Sequence, residues 1–261
     1  MTDKGLGAYD LVIFDWAGPM VDFGCRAPVA ALVEAFARRG VQLDEAAARA
    51  DMGKAKADHV RAALARPEVA AAWTAATGAA PGDDDVTALM EDLGPLMQAA
   101  ASEASALIPG AAETAAALRA AGLRIGSSTG YTREMMAPVL AKAAAQGYAP
   151  DHVVCANETP QGRPSPLMIY KACAELGVWP LSRVVKVDDA EAGIAEGRAA
   201  GCFTVGLSAS GNGMGLSADE LAALDPAERR ARLAVVEAGL KAAGADLVIE
   251  TVADLIPALR G

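Results

Sequence analysis

Asp15 closes the apolar run Leu11-Val12-Ile13-Phe14 and opens the turn Trp16-Ala17-Gly18-Pro19-Met20. A carboxylate carried by a buried strand into a tight Gly/Pro turn lies where open α/β sheets place reactive groups, beyond the carboxyl end of the strand. The same residue type also serves as a plain turn or helix-capping group. An enzyme that hydrolyses phosphate esters from such a position would be expected to carry a second carboxylate two residues on, to protonate the leaving alkoxide. Here that position is Ala17.

Four further segments bear on Asp15. Gly126-Ser127-Ser128-Thr129-Gly130-Tyr131-Thr132 can present a hydroxyl and backbone N–H groups to an anion at a helix start, or act as an ordinary cap. In Gly162-Arg163-Pro164-Ser165-Pro166, Ser165 is the expected N-cap of the helix Leu167–Leu176 and Pro166 its first residue. Arg163 just ahead is either a surface cation or a fixed one able to bind a dianion bidentately. Asp188-Asp189 at the end of an apolar run outlines a hard-cation site; Mg²⁺ would need Asp15 and Asp189 with one backbone carbonyl. In Met52-Gly53-Lys54-Ala55-Lys56-Ala57-Asp58-His59, a continuous helix would put Met52, Lys56 and His59 on one face. Covering that face would desolvate Lys56, lower its pKa and free the amine for imine formation.

These residues require a scaffold. Six apolar runs read as buried strands: Leu11–Phe14, 123–127, His152–Cys155, 184–187, Phe203–Leu207 and Leu247–Ile249. Helical patterns separate most of them, which predicts an α/β, Rossmann-like, doubly wound parallel sheet. The first gap is too long for one crossover and shows only helical patterning. Val29, Leu32, Val33 and Phe36 share a face before Gly40, and further helices fall near 59–65 and 86–100. The expected division is therefore a core domain of residues 1–23 and 104–261 with an all-helical cap, 24–103, inserted after the first strand. Pro109-Gly110 marks the return, before a helix at 111–121, and 208–245 is a later excursion, Gly-rich and then helical.

Bulk properties narrow the classes. A chain of 261 residues can bury a full core, as one large domain or a core plus a lid. Its net charge of −10 disfavours nucleic acid, whose phosphates need a basic face. Although the mean hydropathy is +0.23, much of it is alanine in amphipathic segments, so no membrane span is expected. The start, Met1-Thr2-Asp3-Lys4-Gly5, has neither basic flank nor apolar signal core, giving a cytoplasmic expectation. Cys25, Cys155, Cys173 and Cys202 show no paired short spacing, and with only His59 and His152 beside them a zinc site is not expected.

Four of these segments, in this order, resemble the haloacid-dehalogenase-like superfamily, and the resemblance sharpens to its phosphonoacetaldehyde hydrolase branch. The marks are Phe14-Asp15-Trp16-Ala17-Gly18, Asp22-Phe23-Gly24-Cys25, Met52-Gly53 with Lys56 and His59, Gly130-Tyr131-Thr132-Arg133-Glu134-Met135-Met136, and Gly162-Arg163-Pro164. The likeness implies Asp15 as the nucleophile and Lys56 as a Schiff-base lysine. It implies Asp15, the Ala17 carbonyl and Asp189 as Mg²⁺ ligands, and Thr129, beside Gly130, with Arg163 as the phosphonate-binding pair. Cys25, Met52, His59 and Tyr131 would line the aldehyde end, and the assembly would be a homodimer formed through the caps.

The chemistry gives Ala17 a reason. Breaking a P–C bond expels a carbanion, which a proton donor at that point does little to help, whereas an imine on Lys56 would accept the electron pair as a neutral enamine. A Mg²⁺-dependent phosphatase or phosphomutase remains the alternative, and Ala17 counts against it. A catalytically degenerate binding protein is the other, hinted at by Pro19, which stands where the family usually has threonine. The intact Asp15, Lys56 and Asp189 count against that. No further aspartate follows Asp189 closely; Glu191 either reaches the metal through water or faces solvent.

Overall fold

The computed structural model describes residues 5–260; Met1–Lys4, on which the reading of the chain start partly rests, lie outside them. After β1 (Leu11–Phe14) come α1 (Arg26–Arg38), α2 (Glu45–Arg49), α3 (Lys56–Leu64), α4 (Pro67–Thr77) and α5 (Asp83–Glu103). The chain returns through α6 (Ala111–Ala120) to β2 (Arg124–Thr129), then α7 (Arg133–Ala145), β3 (His152–Cys155), α8 (Leu167–Leu176) and β4 (Val184–Asp188). There follow α9 (Glu191–Ala200), β5 (Phe203–Leu207), α10 (Ala218–Ala222), α11 (Pro226–Ala242), β6 (Leu247–Ile249) and α12 (Leu255–Arg260).

Among the described residues the sheet has six strands in the order β3-β2-β1-β4-β5-β6, every pair parallel. The expected Rossmann-like architecture is the one found. β1 is the central strand, buried on both faces, and the order reverses at it, so the crevice lies beyond its carboxyl end between β2 and β4. Leu11 stands level with Arg124 on one side and Val184 on the other. The Asp15 N–H donates to the Val187 carbonyl at 3.0 Å, which fixes the first turn residue to β4.

Helices occupy the chain between β1 and α6, and they share apolar packing with the core. One hydrophobic cluster runs from Val12, Phe14 and Trp16 through Phe36, Leu89, Leu93 and Met97 to Met135 and Met136. α5 packs against both α1 and α7, and the Lys142 ammonium donates to the Ser102 carbonyl across that contact at 2.7 Å.

Three local expectations are corrected. β2 runs two residues further than expected, so Ser128 and Thr129 belong to the strand and Gly130 opens the turn. Ser165 does not cap α8: its N–H donates to Gly162 O in a tight turn, and Pro166 takes the N-cap position without a side-chain bond. Met52 is not on the helix of Lys56 and His59. Gly53 has φ +89, and a Cβ there would come within 2.9 Å of the Ala190 Cβ. That left-handed residue breaks any helix through 52–56 and lets this turn seat closely on the core.

Candidate active site

Three strand ends and one helix start converge on a small cavity. Its wall includes Asp15, Ala17, Cys25, Met52, Lys56 and Thr129, and beside them Gly130, Tyr131, Arg163 and Asp189. His59 is absent from the wall. It lies one helical turn behind Lys56, 1% exposed, with Nε2 2.9 Å from the Ala48 carbonyl. A carbonyl only accepts, so this assigns the proton to Nε2 and leaves Nδ1, buried and without a partner among the described residues, as an acceptor. Burial and the nearby Lys56 push the imidazole down to about 3, so it is neutral at working pH.

α3 buries Lys56, His59, Val60, Ala63 and Leu64, the i, i+3, i+4, i+7, i+8 stripe of a helix covered on one side. Lys56 is its first residue and 5% exposed. Its ammonium lies 3.8 Å from the Met52 sulfur and 5.2 Å from the centroid of the Tyr131 ring. Although Met52 is outside the helix, the turn returns its sulfur to the position the helical reading required. Burial pulls the amine down to about 8, and the partial positive charge of a helix N-terminus disfavours the ammonium in the same direction. Cys25 and Tyr131 are pushed upward by burial, so thiol and phenol stay neutral.

On the core side, Arg163 is fully buried and does not project as a free cation. Its Nη2 donates to an Asp15 carboxylate oxygen at 2.9 Å, to Ser128 Oγ at 3.1 Å and to the Ser128 carbonyl. Nε donates to Glu196 at 3.0 Å. Lys186, fully buried in the middle of β4, lies 2.8 Å from Asp188 and 3.4 Å from Glu196. It also donates to Ser128 Oγ at 2.9 Å, and that hydroxyl passes its own proton toward Glu196 at 3.0 Å. Burial lifts Asp15, and Arg163 pulls it back. For Asp188 burial acts upward too, but Arg163 and Lys186 outweigh it and hold the carboxyl low.

Three carboxylates, Asp15, Asp188 and Asp189, have oxygens within 4.8 Å of one another. Asp189 accepts the Asn212 N–H at 2.6 Å and is pushed well above its usual range by burial and by its two acidic neighbours. Arg163 and Lys186 pair with Asp15, Asp188 and Glu196, and among the described residues no cationic side chain pairs with Asp189. The donor set therefore fits a divalent hard cation, which would supply the missing counter-charge. Glu191 is exposed and outside the cluster. Gly18, at φ +93, allows the first turn to press on Asp189, whose carboxylate would lie 2.5 Å from a Cβ there.

The haloacid dehalogenase-like hydrolase family matches residues 9–201. Phosphonoacetaldehyde hydrolase of Paraburkholderia phytofirmans is 49% identical over 246 residues, 94% of this chain and 92% of that protein. The protein of the same name from Bacillus cereus is 42% identical over 94% of this chain and 93% of its own length. This chain belongs to the haloacid dehalogenase-like hydrolases. Within them it falls in the phosphonoacetaldehyde hydrolase family. A crystal structure of a phosphonoacetaldehyde hydrolase-like protein from Oleispira antarctica superposes with a TM-score of 0.95 at 39% identity, over 98% of this chain and 94% of that one.

In this hydrolase the turn around Pro19 closes through the N–H groups of its neighbours. Met20 and Val21 both donate to the Trp16 carbonyl, at 2.9 and 3.0 Å, and Gly18 donates to Val21 at 2.8 Å. Sequence reasoning missed Lys186, Glu196 and the part played by Ser128. The available signal was Lys186 itself, a charge inside the apolar run Val184-Val185-Lys186-Val187, which a buried strand tolerates only with a partner.

Proposed function

We propose that this hydrolase cleaves the P–C bond of phosphonoacetaldehyde to acetaldehyde and phosphate, through an imine on Lys56 and phosphoryl transfer to Asp15. The observation that carries the reading is the buried Lys56 amine, held at about 8 in the same small cavity as Asp15, while the residue two beyond Asp15 is alanine. An ordinary lysine near 10.5 is almost wholly protonated at neutral pH; at about 8 roughly a tenth is the free amine that attacks an aldehyde.

Lys56 adds to the carbonyl and loses water, leaving a protonated imine. The Asp15 carboxylate then attacks phosphorus opposite the P–C bond. That bond's electron pair moves into the imine to give an enamine. Arg163, bonded to Asp15, aims the nucleophile and offsets charge on the phosphonate oxygens. Thr129 Oγ accepts the Tyr131 N–H at 3.2 Å, so its own proton is free for the phosphonate. Water releases phosphate from Asp15, and protonation and hydrolysis of the enamine release acetaldehyde and restore Lys56. Asp15 and Asp189, with the Ala17 carbonyl, would hold Mg²⁺, which when bound supplies charge neutralisation for the transferring group. The neutral Cys25 and Tyr131 line the aldehyde side without competing as charged nucleophiles.

Incubation with phosphonoacetaldehyde followed by borohydride and peptide mass spectrometry tests this. The expected result is a reduced adduct on Lys56 with loss of activity. An active enzyme that yields no adduct, or a fully active Lys56→Arg variant, would refute it.

A further inference from the structure

Arg49, the last residue of α2, is placed where the helical insertion meets the Gly-rich segment after β5. Its guanidinium donates to the Gly24 carbonyl at 3.0 Å, to Asn212 Oδ1 at 3.2 Å and to the Gly215 carbonyl at 3.2 Å. Glu45, one turn back, holds Nε at 2.9 Å and so sets the plane of the fork. Asn212 returns the contact: its Nδ2 donates to the Arg49 carbonyl at 3.1 Å. Both polar atoms of the Asn212 side chain are thus spent on one residue of the insertion. The backbone N–H of Asn212 is the group that donates to Asp189 at 2.6 Å. Behind Asn212, Gly211 lies so close that a Cβ would stand 2.2 Å from the Asp189 Cβ, so the loop cannot shift without disturbing that aspartate. On the other side, the Arg49 carbonyl also accepts the Met52 N–H at 3.1 Å, and the Met52 sulfur is 3.8 Å from the Lys56 ammonium.

We propose that Arg49 and Asn212 are positioning residues that lock the placement of Lys56 to that of Asp189, so that amine and phosphonate end are set in register only when this clamp is made. The assignment rests on the roles given above to Lys56 and Asp189. Asp189 is tied to Asn212, Asn212 to Arg49, Arg49 to Met52, and Met52 to Lys56. The fork geometry of arginine meets a loop carbonyl, a linker carbonyl and an amide oxygen at once, which a lysine at this position could not do. Because the clamp spans residues more than 160 apart in sequence, it senses the seating of the insertion on the core rather than local helix structure.

The test is a double-mutant cycle on the full-length protein with Asn212→Ala and Arg49→Met. Each variant is expected to lower kcat for phosphonoacetaldehyde by about tenfold, the worth of one lost charge-assisted hydrogen bond, with less change in KM. Each is also expected to slow borohydride trapping at Lys56. The double variant should be little worse than either single one, because both break the same clamp. A second readout needs no turnover: Mg²⁺ alone should slow amide exchange in residues 44–64 of the wild type and not in either variant. Multiplicative losses, wild-type kcat in either variant, or an Mg²⁺ effect on exchange that survives both substitutions would overturn the proposal. A wild type that never traps at Lys56 would refute the imine while the exchange measurement still decides the coupling.

Discussion

Replacing Lys56 by Met should abolish P–C cleavage and at the same time make the protein more stable at neutral pH. The amine is held at about 8 against an ordinary 10.5, and at about 1.4 kcal/mol per pH unit the gap sets a cost of about 3 kcal/mol on the buried ammonium. The Tyr131 ring, 5.2 Å away, returns about 1 kcal/mol of this. A methionine of similar length fills the space beside Met52 without a charge, leaving an expected gain of about 2 kcal/mol, or roughly 6 °C in Tm for a chain of this size. The pH dependence distinguishes this origin from better packing. Between pH 8 and 10.5 the unfolded lysine binds more protons than the folded one, so wild-type stability rises relative to the variant and the gap closes toward pH 10.5. Thermal melts of both proteins at pH 7, 9 and 10.5 would measure it. A variant no more stable than wild type at pH 7, or a gap unchanged at pH 10.5, would refute the desolvation argument.

Other consequences can be measured with simpler comparisons. Glu196→Ala should cost about 1–3 kcal/mol in a urea titration, since it leaves the buried Arg163 Nε–H and Ser128 hydroxyl without their acceptor; a loss well below about 1 kcal/mol would contradict the pairing. Pro19→Thr should change kcat by less than about twofold, because the turn is closed by the N–H groups of Gly18, Met20 and Val21; a large gain in rate would show that the missing donor matters. His59, held at about 3 against an ordinary 6.5, favours the folded state above pH 6.5 and progressively loses that contribution as pH falls toward 3. His59→Gln should therefore flatten the acid limb of a stability profile, and an unchanged limb would rule out this source.

What the chain reveals on reading follows from how local each feature is. β1, β3, β5 and β6 are contiguous apolar runs bounded by turn residues, and their bounds were legible as they stand. Asp15 and Asp189 were legible as carboxylates at strand ends, whereas Thr129 stood out from its turn only through the family resemblance. Ser165 misled because a cap motif looks the same whether or not its N–H is already committed to a preceding turn, as here to Gly162. Met52 misled because spacing alone cannot show that Gly53 is left-handed, although the sulfur still meets Lys56. Lys186 was masked by the apolar residues around it. The Arg49–Asn212 pair lay beyond reach for a different reason: neither residue belongs to a local pattern, and only the folded chain brings them together.

The hydrophobic cluster that joins the insertion to the sheet bears on how the chain comes apart. Phe36, Leu89 and Met97 bury themselves in the same cluster as Phe14, Trp16 and Met136, with α5 wedged between α1 and α7. An insertion with its own sealed interior could melt by itself and leave the sheet standing. This one packs Phe36 on its own Trp73 yet shares the rest of that cluster with the sheet, so each side loses a wall if the other leaves. Heat or urea should therefore meet one cooperative unit, and the helices excised as a separate peptide would expose the side of α5 that α7 covers.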